Sequence, residues 1–160
     1  MQSEITIYTD GAARGNPGPS ASGYMALRGG KVVAKHFSYN GVETNNYAEY
    51  RAVILALEWC RDNLKDAAQA GIRLYSDSEL VIRQINGKYK VRSGKLMEMH
   101  RIVKALAPAF KTLEFANTRR EDKGIAMVDK QLNLLLDRME KIGVQERYKL
   151  DNGQTIIKVD

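Results

Sequence analysis

The fold of the chain can be predicted starting from the stretch Tyr8-Thr9-Asp10-Gly11-Ala12-Ala13-Arg14-Gly15-Asn16-Pro17-Gly18-Pro19. A strand leads into this stretch, because residues 5–8 alternate isoleucine with threonine and tyrosine at the period of two typical of β-structure. The Gly, Asn and Pro residues after Asp10 then indicate a turn. An acid at the end of a buried strand is costly unless a metal ion, a basic partner or a hydrogen-bond network offsets its charge. Asp10 is therefore the first candidate functional residue.

Two further strands are predicted directly after this turn. They cover residues 21–27 and 31–39, and the two-residue hairpin turn Gly29-Gly30 joins them. Three consecutive strands with short connections form an antiparallel meander.

A buried helix is expected after the meander. It starts at Thr44 or Asn45, either of which can act as its N-cap, and runs to about residue 63. Its middle is apolar on almost all sides, which predicts burial. Glu49 lies near its start on the same side as small apolar residues, so this carboxylate faces protein rather than water.

The second half of the chain alternates strands with helices. A short strand at residues 72–77 again ends on an acid, Asp77. The later elements are helices at 79–86 and 93–107, a strand at 111–116 and a helix at 125–142. The order β-β-β-α-β-α-α-β-α predicts an α/β fold, in which helices flank a mixed five-stranded sheet of three antiparallel and then two parallel strands.

The chain length of 160 residues fits one domain, which we place at residues 1–143. Residues 144–160 form a tail, in which the segments 148–150 and 154–159 are predicted to make a β-hairpin around Asp151-Asn152-Gly153.

Composition excludes several classes of protein. No apolar run reaches the roughly 18 residues of a membrane span, and the lone Cys60 leaves no disulfide framework and no cysteine-rich metal site. The net charge of +6 and the pI of about 9.4 fit a polyanionic partner such as nucleic acid, although a basic surface also serves solubility alone. We expect a cytoplasmic monomer with no membrane partner.

Four acids from separate elements are expected to meet in this fold. The first and fourth strands lie parallel and side by side, so Asp10 and Asp77 end at the same edge. Glu49 opens the helix across that edge, and Asp129 lies in the first turns of the last helix. Carboxylates so close stay ionised only beside cations, and Mg²⁺ prefers oxygen ligands. Two such ions about 4 Å apart can hold the attacking and leaving oxygens of a phosphodiester displacement.

Each acid also has a more ordinary explanation. Asp10 before a turn and Asp77 before a helix fit the roles of turn former and N-cap. Asp129 alone is an ordinary helix residue. Glu49 fits such roles less well, because glutamates at a helix start usually face solvent. The spacing alone therefore leaves the metal site open.

Three motifs together resemble type 1 ribonuclease H. They are the opening stretch, Thr44-Asn45-Asn46-Tyr47-Ala48-Glu49, and Tyr75-Ser76-Asp77-Ser78-Glu79-Leu80-Val81-Ile82, and the resemblance runs from about Ile5 to Leu136. It implies the ribonuclease H-like fold and an endonuclease that cuts the RNA strand of RNA–DNA hybrids, leaving 3′-hydroxyl and 5′-phosphate ends. It also implies two Mg²⁺ ions, with Mn²⁺ as an alternative.

The resemblance assigns roles to individual residues. Asp10 matches the acid that bridges both metals, Glu49 the acid that binds one metal near a ribose 2′-hydroxyl, and Asp77 and Asp129 the remaining ligands. A contact with the 2′-hydroxyl distinguishes RNA from DNA. Thr44 matches the residue that anchors a DNA phosphate. The other positions that resemble substrate contacts are Gly11, Asn16, Asn46 and Ser78.

The loop before the last helix departs from the best-known members of the family, which carry a histidine there. This chain instead has Arg119 and Arg120, one of which is expected to help product leave or to neutralise phosphate charge. Neither can transfer protons at neutral pH. The spacing of this loop also leaves Asp122 as a rival of Asp129 for the fourth metal ligand.

A second departure is the absence of the long basic protrusion found in some members. A shorter basic turn that contains Lys88, Lys90 and Arg92 around Tyr89 takes its place. We expect Lys88 to contact phosphate and Tyr89 to stack on a sugar or base. A solvated turn with a partly packed tyrosine explains the same residues equally well.

Two other functions compete with hybrid cleavage. One is a module that binds RNA–DNA hybrids or double-stranded RNA with weak or lost catalysis, and the other is a nuclease of the same fold that cuts double-stranded RNA or DNA. The presence of all four acids argues against lost catalysis.

Overall fold

A mixed five-stranded sheet forms the centre of the computed structural model, which describes residues 4–151, with side-chain surroundings given for residues 4–143. The strands and helices are β1 (Glu4–Ala13), β2 (Gly18–Arg28), β3 (Lys31–Glu43), α1 (Asn45–Asn63), β4 (Gly71–Ser76), α2 (Glu79–Ile85), α3 (Gly94–Leu106), β5 (Thr112–Asn117) and α4 (Lys123–Asp151). Single 3₁₀ turns at Ala67–Gln69 and Ala107–Ala109 precede β4 and β5.

The sheet has the strand order β3-β2-β1-β4-β5. The first three strands are antiparallel, and β4 and β5 then run parallel to β1. These observations confirm the predicted fold. Pairing of β1 with β4 ends at Tyr8, whereas pairing of β1 with β2 continues to Ala13. The last residues of β1 therefore have a strand on one side only, and side chains from other elements can approach from the other.

Helices cover the two faces of the sheet unequally. On one face, α1 and α3 bury a core that includes Ile5, Ile7 and Leu74. On the other face, α4 packs its apolar stripe over β1, β2 and β3. Buried residues of this second core are Ala21, Met25, Val128, Leu132 and Leu136. Because α4 crosses the end of β1, the residues at its start lie near the acid-bearing edge.

The element boundaries differ from the prediction at strand ends and in the tail. β2 begins at Gly18 and β3 ends at Glu43, because the antiparallel pairing of Pro19 with Val42 extends both strands beyond their alternating segments. Residues 148–150, predicted as the first strand of a hairpin, are helical instead, since α4 continues to Asp151. Helix propagation adds one hydrogen bond per residue, and residues 145–149 are mostly good helix formers. The second predicted strand, at residues 154–159, lies outside the described residues.

Within residues 4–151, none of the helices combines the length and the apolar composition that crossing a bilayer requires.

Candidate active site

Asp10 lies at the point where β1 extends past β4. It is only 4% exposed, and its Oδ1 accepts a hydrogen bond from the Gly11 N–H at 3.0 Å. This edge of β1 has no strand partner beyond Tyr8, so the Gly11 N–H is also free to donate to a second carboxylate.

Glu49 supplies that second carboxylate from one turn inside α1. Its Oε1 accepts from the Gly11 N–H at 2.6 Å, and its Oε2 accepts from the Ser76 hydroxyl at 3.1 Å. Glycine permits the close approach of helix and strand, since a Cβ on Gly11 would lie 2.2 Å from the Ala48 carbonyl carbon. The fold therefore holds both oxygens of a 7% exposed glutamate in place.

Asp77 completes a group of three acids. It follows β4 directly, and its side chain is 13% exposed. One carboxylate oxygen from each of Asp10, Glu49 and Asp77 lies within 4.8 Å of the others. The predicted convergence of these three acids from three elements is therefore present.

The electrostatics of the group show that its charges are not offset by protein cations alone. Burial, followed by the charge of Glu49, raises the pKa of Asp10 to about 11. Burial also raises the pKa of Glu49 to about 7, although hydrogen bonds from Gly11 and Ser76 act in the opposite direction. A hydrogen bond between the two carboxyl groups raises the pKa of Asp10 and lowers that of Glu49. In the absence of a cation, the buried pair therefore binds a proton more readily than free carboxyl groups do.

These residues fit a divalent metal ion. Asp10, Glu49 and Asp77 offer only carboxylate oxygens, the ligands that hard cations prefer. A cation among them would remove the repulsion that disfavours their ionised forms.

Asp129 and Asp122 both line the open cavity of about 1310 Å³ around these acids, but their surroundings differ. The Asp122 Oδ1 accepts hydrogen bonds from the N–H groups of Gly124 at 2.9 Å and Ile125 at 3.4 Å, so it caps α4. The charge of Asp129 contributes to the raised pKa of Asp10. Within the described part of the chain, the Asp129 carboxylate accepts no hydrogen bond and remains outside the group spanning 4.8 Å.

Arg119 and Arg120 line the same cavity from the loop before α4. The Nε of Arg120 lies 3.5 Å from the Asp77 Oδ2, and its side chain is 83% exposed. Such an exposed pair adds little to stability. The start of this loop is anchored, because the Thr118 N–H and the Asn117 amide both donate to the Ser76 carbonyl. The arginines are thus presented to the acids on an anchored loop but remain accessible.

The residues predicted to contact substrate occupy two adjoining depressions. Gly11, Asn46 and Ser78 line the acid cavity. Asn16 and Thr44 line a neighbouring groove, and Asn46 lines both.

Several of these side chains also have structural partners. The Thr44 hydroxyl accepts from the Tyr47 N–H as the N-cap of α1, so Thr44 rather than Asn45 is the cap. Ser78 rather than Asp77 caps α2 in the same way. The Asn16 Oδ1 accepts from the Asn45 N–H at 3.1 Å.

Lys88 and Tyr89 are not brought into the acid cavity. They line a separate groove at the turn between α2 and α3, together with Lys90 and Arg92. Tyr89 is 44% exposed, and the Arg83 guanidinium carbon lies 5.4 Å from the centroid of its ring.

Sequence reasoning missed three residues around the acids. Ser76 orients Glu49, and its position offered a signal, since it is a polar residue at the third inward position of β4 after two apolar residues. Asn133 lines the acid cavity, and Arg14 donates a hydrogen bond to the Asn133 carbonyl. No local pattern marks these two residues.

A mixed sheet with a carboxylate cluster beside its central strand defines an α/β domain whose clustered acids offer the ligands of a metal site. The sequence matches the family described as RNase H over residues 2–120. The chain therefore belongs to the RNase H family.

Two curated relatives give the range of similarity. The chain is 34% identical over 115 residues to Bifunctional protein Rv2228c of Mycobacterium tuberculosis, and this alignment covers 70% of this chain and 30% of that protein. It is 44% identical over 86 residues to Ribonuclease HI of Halobacterium salinarum, and this alignment covers 53% of this chain and 41% of that protein. The matched segments thus span less than half the length of either relative.

Solved structures are similar over more of the chain. LC11-RNase H1 in complex with an RNA/DNA hybrid superposes with a TM-score of 0.78 at 35% identity, covering 84% of this chain and 98% of that one. RNase H1 from the halophilic archaeon Halobacterium salinarum superposes with a TM-score of 0.77 at 34% identity and the same coverage.

Proposed function

We propose that the chain is an endoribonuclease that hydrolyses the RNA strand of RNA–DNA hybrids and leaves 3′-hydroxyl and 5′-phosphate ends. The observation that carries this proposal is the meeting of Asp10, Glu49 and Asp77 within 4.8 Å in a member of the RNase H family. The hybrid in the LC11-RNase H1 complex supports the choice of substrate. The net charge of +6 also suits a polyanionic duplex.

Two Mg²⁺ ions, with Mn²⁺ as an alternative, are the proposed cofactors. Asp10 would hold both ions, and Glu49, Asp77 and Asp129 would complete their protein ligands. When bound, such a pair of ions supplies a nucleophilic water and stabilises the leaving oxygen of the phosphodiester.

The protein's own groups prepare the site for this reaction. The Gly11 N–H and the Ser76 hydroxyl fix both oxygens of Glu49 before substrate arrives, so little ordering remains to be done in the reaction. Glu49 is the proposed contact for the ribose 2′-hydroxyl, which would distinguish the RNA strand from DNA.

We assign the fourth acid to Asp129 rather than Asp122, because the Asp122 carboxylate is engaged as the cap of α4. Arg119 and Arg120 take the place of the loop histidine of other members. Of the two, Arg120 is the better candidate to neutralise phosphate charge, since it already lies 3.5 Å from Asp77. An arginine remains protonated at neutral pH, so neither residue transfers protons.

The proposed hybrid lies across both depressions. Gly11, Asn46 and Ser78 contact it beside the acids, while Asn16 and Thr44 bind the DNA strand in the adjoining groove. The family domain is assigned to residues 1–143. The protein is further proposed to be cytoplasmic and monomeric, with double-stranded RNA as a second binding partner.

A short form of the family is also proposed, in which the turn with Lys88 and Tyr89 replaces the long basic protrusion. This turn would extend the contact to phosphate and sugar outside the acid cavity.

A cleavage assay tests the proposal directly. End-labelled RNA–DNA hybrid, double-stranded RNA and duplex DNA are each incubated with Mg²⁺, Mn²⁺ or a chelator. We expect metal-dependent cleavage of the RNA strand of the hybrid, which Asp10→Asn abolishes. The matched control is Asp62→Asn, an exposed acid near the far end of α1, which should cleave like the wild type. Hybrid binding without cleavage by the wild type would favour a binding module instead.

A further inference from the structure

Arg14 lies in the turn after β1 and binds one helix through both terminal nitrogens of its guanidinium group. Its Nη2 lies 2.6 Å from the Asp137 Oδ1, and its Nη1 lies 3.3 Å from the Glu140 Oε2. Nη2 also donates to the Asn133 carbonyl at 3.2 Å. One side chain therefore holds three residues on successive turns of α4.

The face of α4 that Arg14 binds is the face that carries Asp129. Residues 129, 133 and 137 are spaced four apart, so they lie on one side of the helix. The Asn133 amide, which Arg14 contacts, also donates to the Asp129 carbonyl at 3.0 Å. Asp129 and Asn133 both line the acid cavity. A continuous chain of contacts thus leads from Arg14 to the backbone of Asp129.

The start of α4 is fixed by a different contact. A Cβ on Gly124 would lie 2.4 Å from the Tyr8 ring, so only glycine lets the helix lie this close to β1. Asp129 is placed between this contact and the Arg14 contacts. The buried stripe of α4 determines which face of the helix lies on the sheet. The directional contacts of Arg14 hold the polar edge of this face, where Asp129 lies, and so act on the finer placement of the helix.

The segment that carries Arg14 is itself attached to the other acids. The Gly11 N–H binds Glu49 at 2.6 Å, and the Ala13 N–H donates to the Asn45 side chain at 2.8 Å. The end of β1 is thereby fixed to α1, which bears Glu49. Through Arg14 the same segment reaches α4, so it links the helices that carry two of the acids.

We propose that Arg14 is a positioning residue, which sets α4 so that Asp129 reaches the metal site formed by Asp10, Glu49 and Asp77. This inference rests on the metal site of the proposed function. The planar fork of arginine suits the role, because it fixes direction as well as charge. Partly exposed ion pairs contribute little stability, so the main effect of Arg14 lies in the metal site rather than in the folding of the domain.

The test measures Mn²⁺ binding to metal-free protein by isothermal titration calorimetry, beside the Mg²⁺ dependence of hybrid cleavage. Arg14→Ala should weaken Mn²⁺ binding about tenfold, as is typical when a residue that orients a metal ligand is removed. The KM for hybrid should change less than about twofold, because ground-state substrate binding is not affected. Arg14→Lys should give an intermediate affinity, since it retains the charge but loses the fork. Arg73→Ala is the matched control, because Arg73 is ion-paired with Glu114 on the far strands of the sheet.

Two further variants identify the route of the effect. In an Asp129→Asn background, Arg14→Ala should weaken Mn²⁺ binding no further, because the ligand it positions is already removed. The double variant Asp137→Asn/Glu140→Gln leaves Arg14 in place and should reproduce the loss, and it also serves if Arg14→Ala fails to fold.

The role of Arg14 is overturned if Arg14→Ala or the double variant binds Mn²⁺ with wild-type affinity. It is also overturned if Arg14→Ala weakens Mn²⁺ binding by the same factor in the Asp129→Asn background as in the wild type. A larger KM for hybrid with unchanged Mn²⁺ affinity also overturns it and assigns Arg14 to phosphate binding. A wild-type protein that binds Mn²⁺ but cuts no hybrid overturns the proposed function alone, because the affinity comparison still decides the role of Arg14.

Discussion

Asp10→Asn is expected to make the metal-free protein more stable while it abolishes cleavage. The ionised form of Asp10 is disfavoured in the folded state by burial and by Glu49, and asparagine has nearly the same shape without the charge. The substitution therefore removes a destabilising group. The same group is indispensable to the proposed metal site, so stability and activity should change in opposite directions.

The expected gain in the free energy of unfolding of Asp10→Asn follows from the spacing of the acids. Two unit charges 4.8 Å apart repel each other by about 3 kcal/mol at an effective dielectric constant of about 20. Protonation of Asp10 and entry of water reduce this repulsion, and we expect a gain of about 1–3 kcal/mol. For a domain of this size, that gain raises the melting temperature by about 3–10 °C.

This prediction is tested by measuring melting temperatures of the wild type and the variant by circular dichroism, at pH 8 and pH 5, with chelator or with excess Mg²⁺. The advantage of Asp10→Asn should be largest with chelator at about pH 8 and smaller at about pH 5, where the wild type takes up its proton more readily. Mg²⁺ should raise the melting temperature of the wild type more than that of the variant. Asp62→Asn serves as the control. An Asp10→Asn protein that melts at or below the wild-type temperature in chelator at pH 8 would refute the electrostatic reasoning.

Three further predictions concern other parts of the site. The pKa of Glu49 is raised from 4.5 to about 7, so its stabilising contribution is complete below about pH 4 and is lost as pH rises towards 7. Metal-free Glu49→Gln should therefore show a flatter melting temperature between about pH 5 and 8 than the wild type, and an unchanged slope would contradict this. Gly11→Ala should destabilise the fold by about 3 kcal/mol in urea unfolding, because its Cβ would lie 2.2 Å from the Ala48 backbone, whereas Gly94→Ala, with open space around its Cβ, should be tolerated. Arg120→Ala should lower kcat about tenfold, less than the 10²–10³-fold cost of losing a buried donor. The shape of its pH–rate profile should not change, since arginine does not titrate in this range, and a lost limb of that profile would assign it to proton transfer.

Features that depend on neighbouring residues were predictable from the sequence. Gly29 and Gly30 both have positive φ angles, as the hairpin turn requires. Thr44, one of the two predicted caps of α1, accepts from the N–H three residues ahead, and Ser78, rather than Asp77 directly before it, caps α2 in the same way. In each case the structure is determined by chemistry within a few positions of the chain.

Features that depend on distant pairing were not predictable. The strand ends at Gly18 and Glu43 follow from pairing across the hairpin rather than from alternation within either strand. The meeting of Asp10, Glu49 and Asp77 could be expected because parallel strands place their ends together. The hydrogen bond from Ser76 and the contacts of Arg14 could not, because they depend on the exact separation of elements in three dimensions.

The order of the strands has a practical consequence for dividing the molecule. The connection at residues 64–70 separates Asp10 and Glu49 from Asp77 and Asp129, so a break there leaves two acids on each fragment. The second fragment would have to insert β4 along the open edge of β1, where Ile5 pairs with Ile72, before the three-acid group exists. Neither piece can assemble the group alone. The domain is thus suited to a split-protein reporter, in which the proposed metal-dependent activity appears only when the two fragments are brought together.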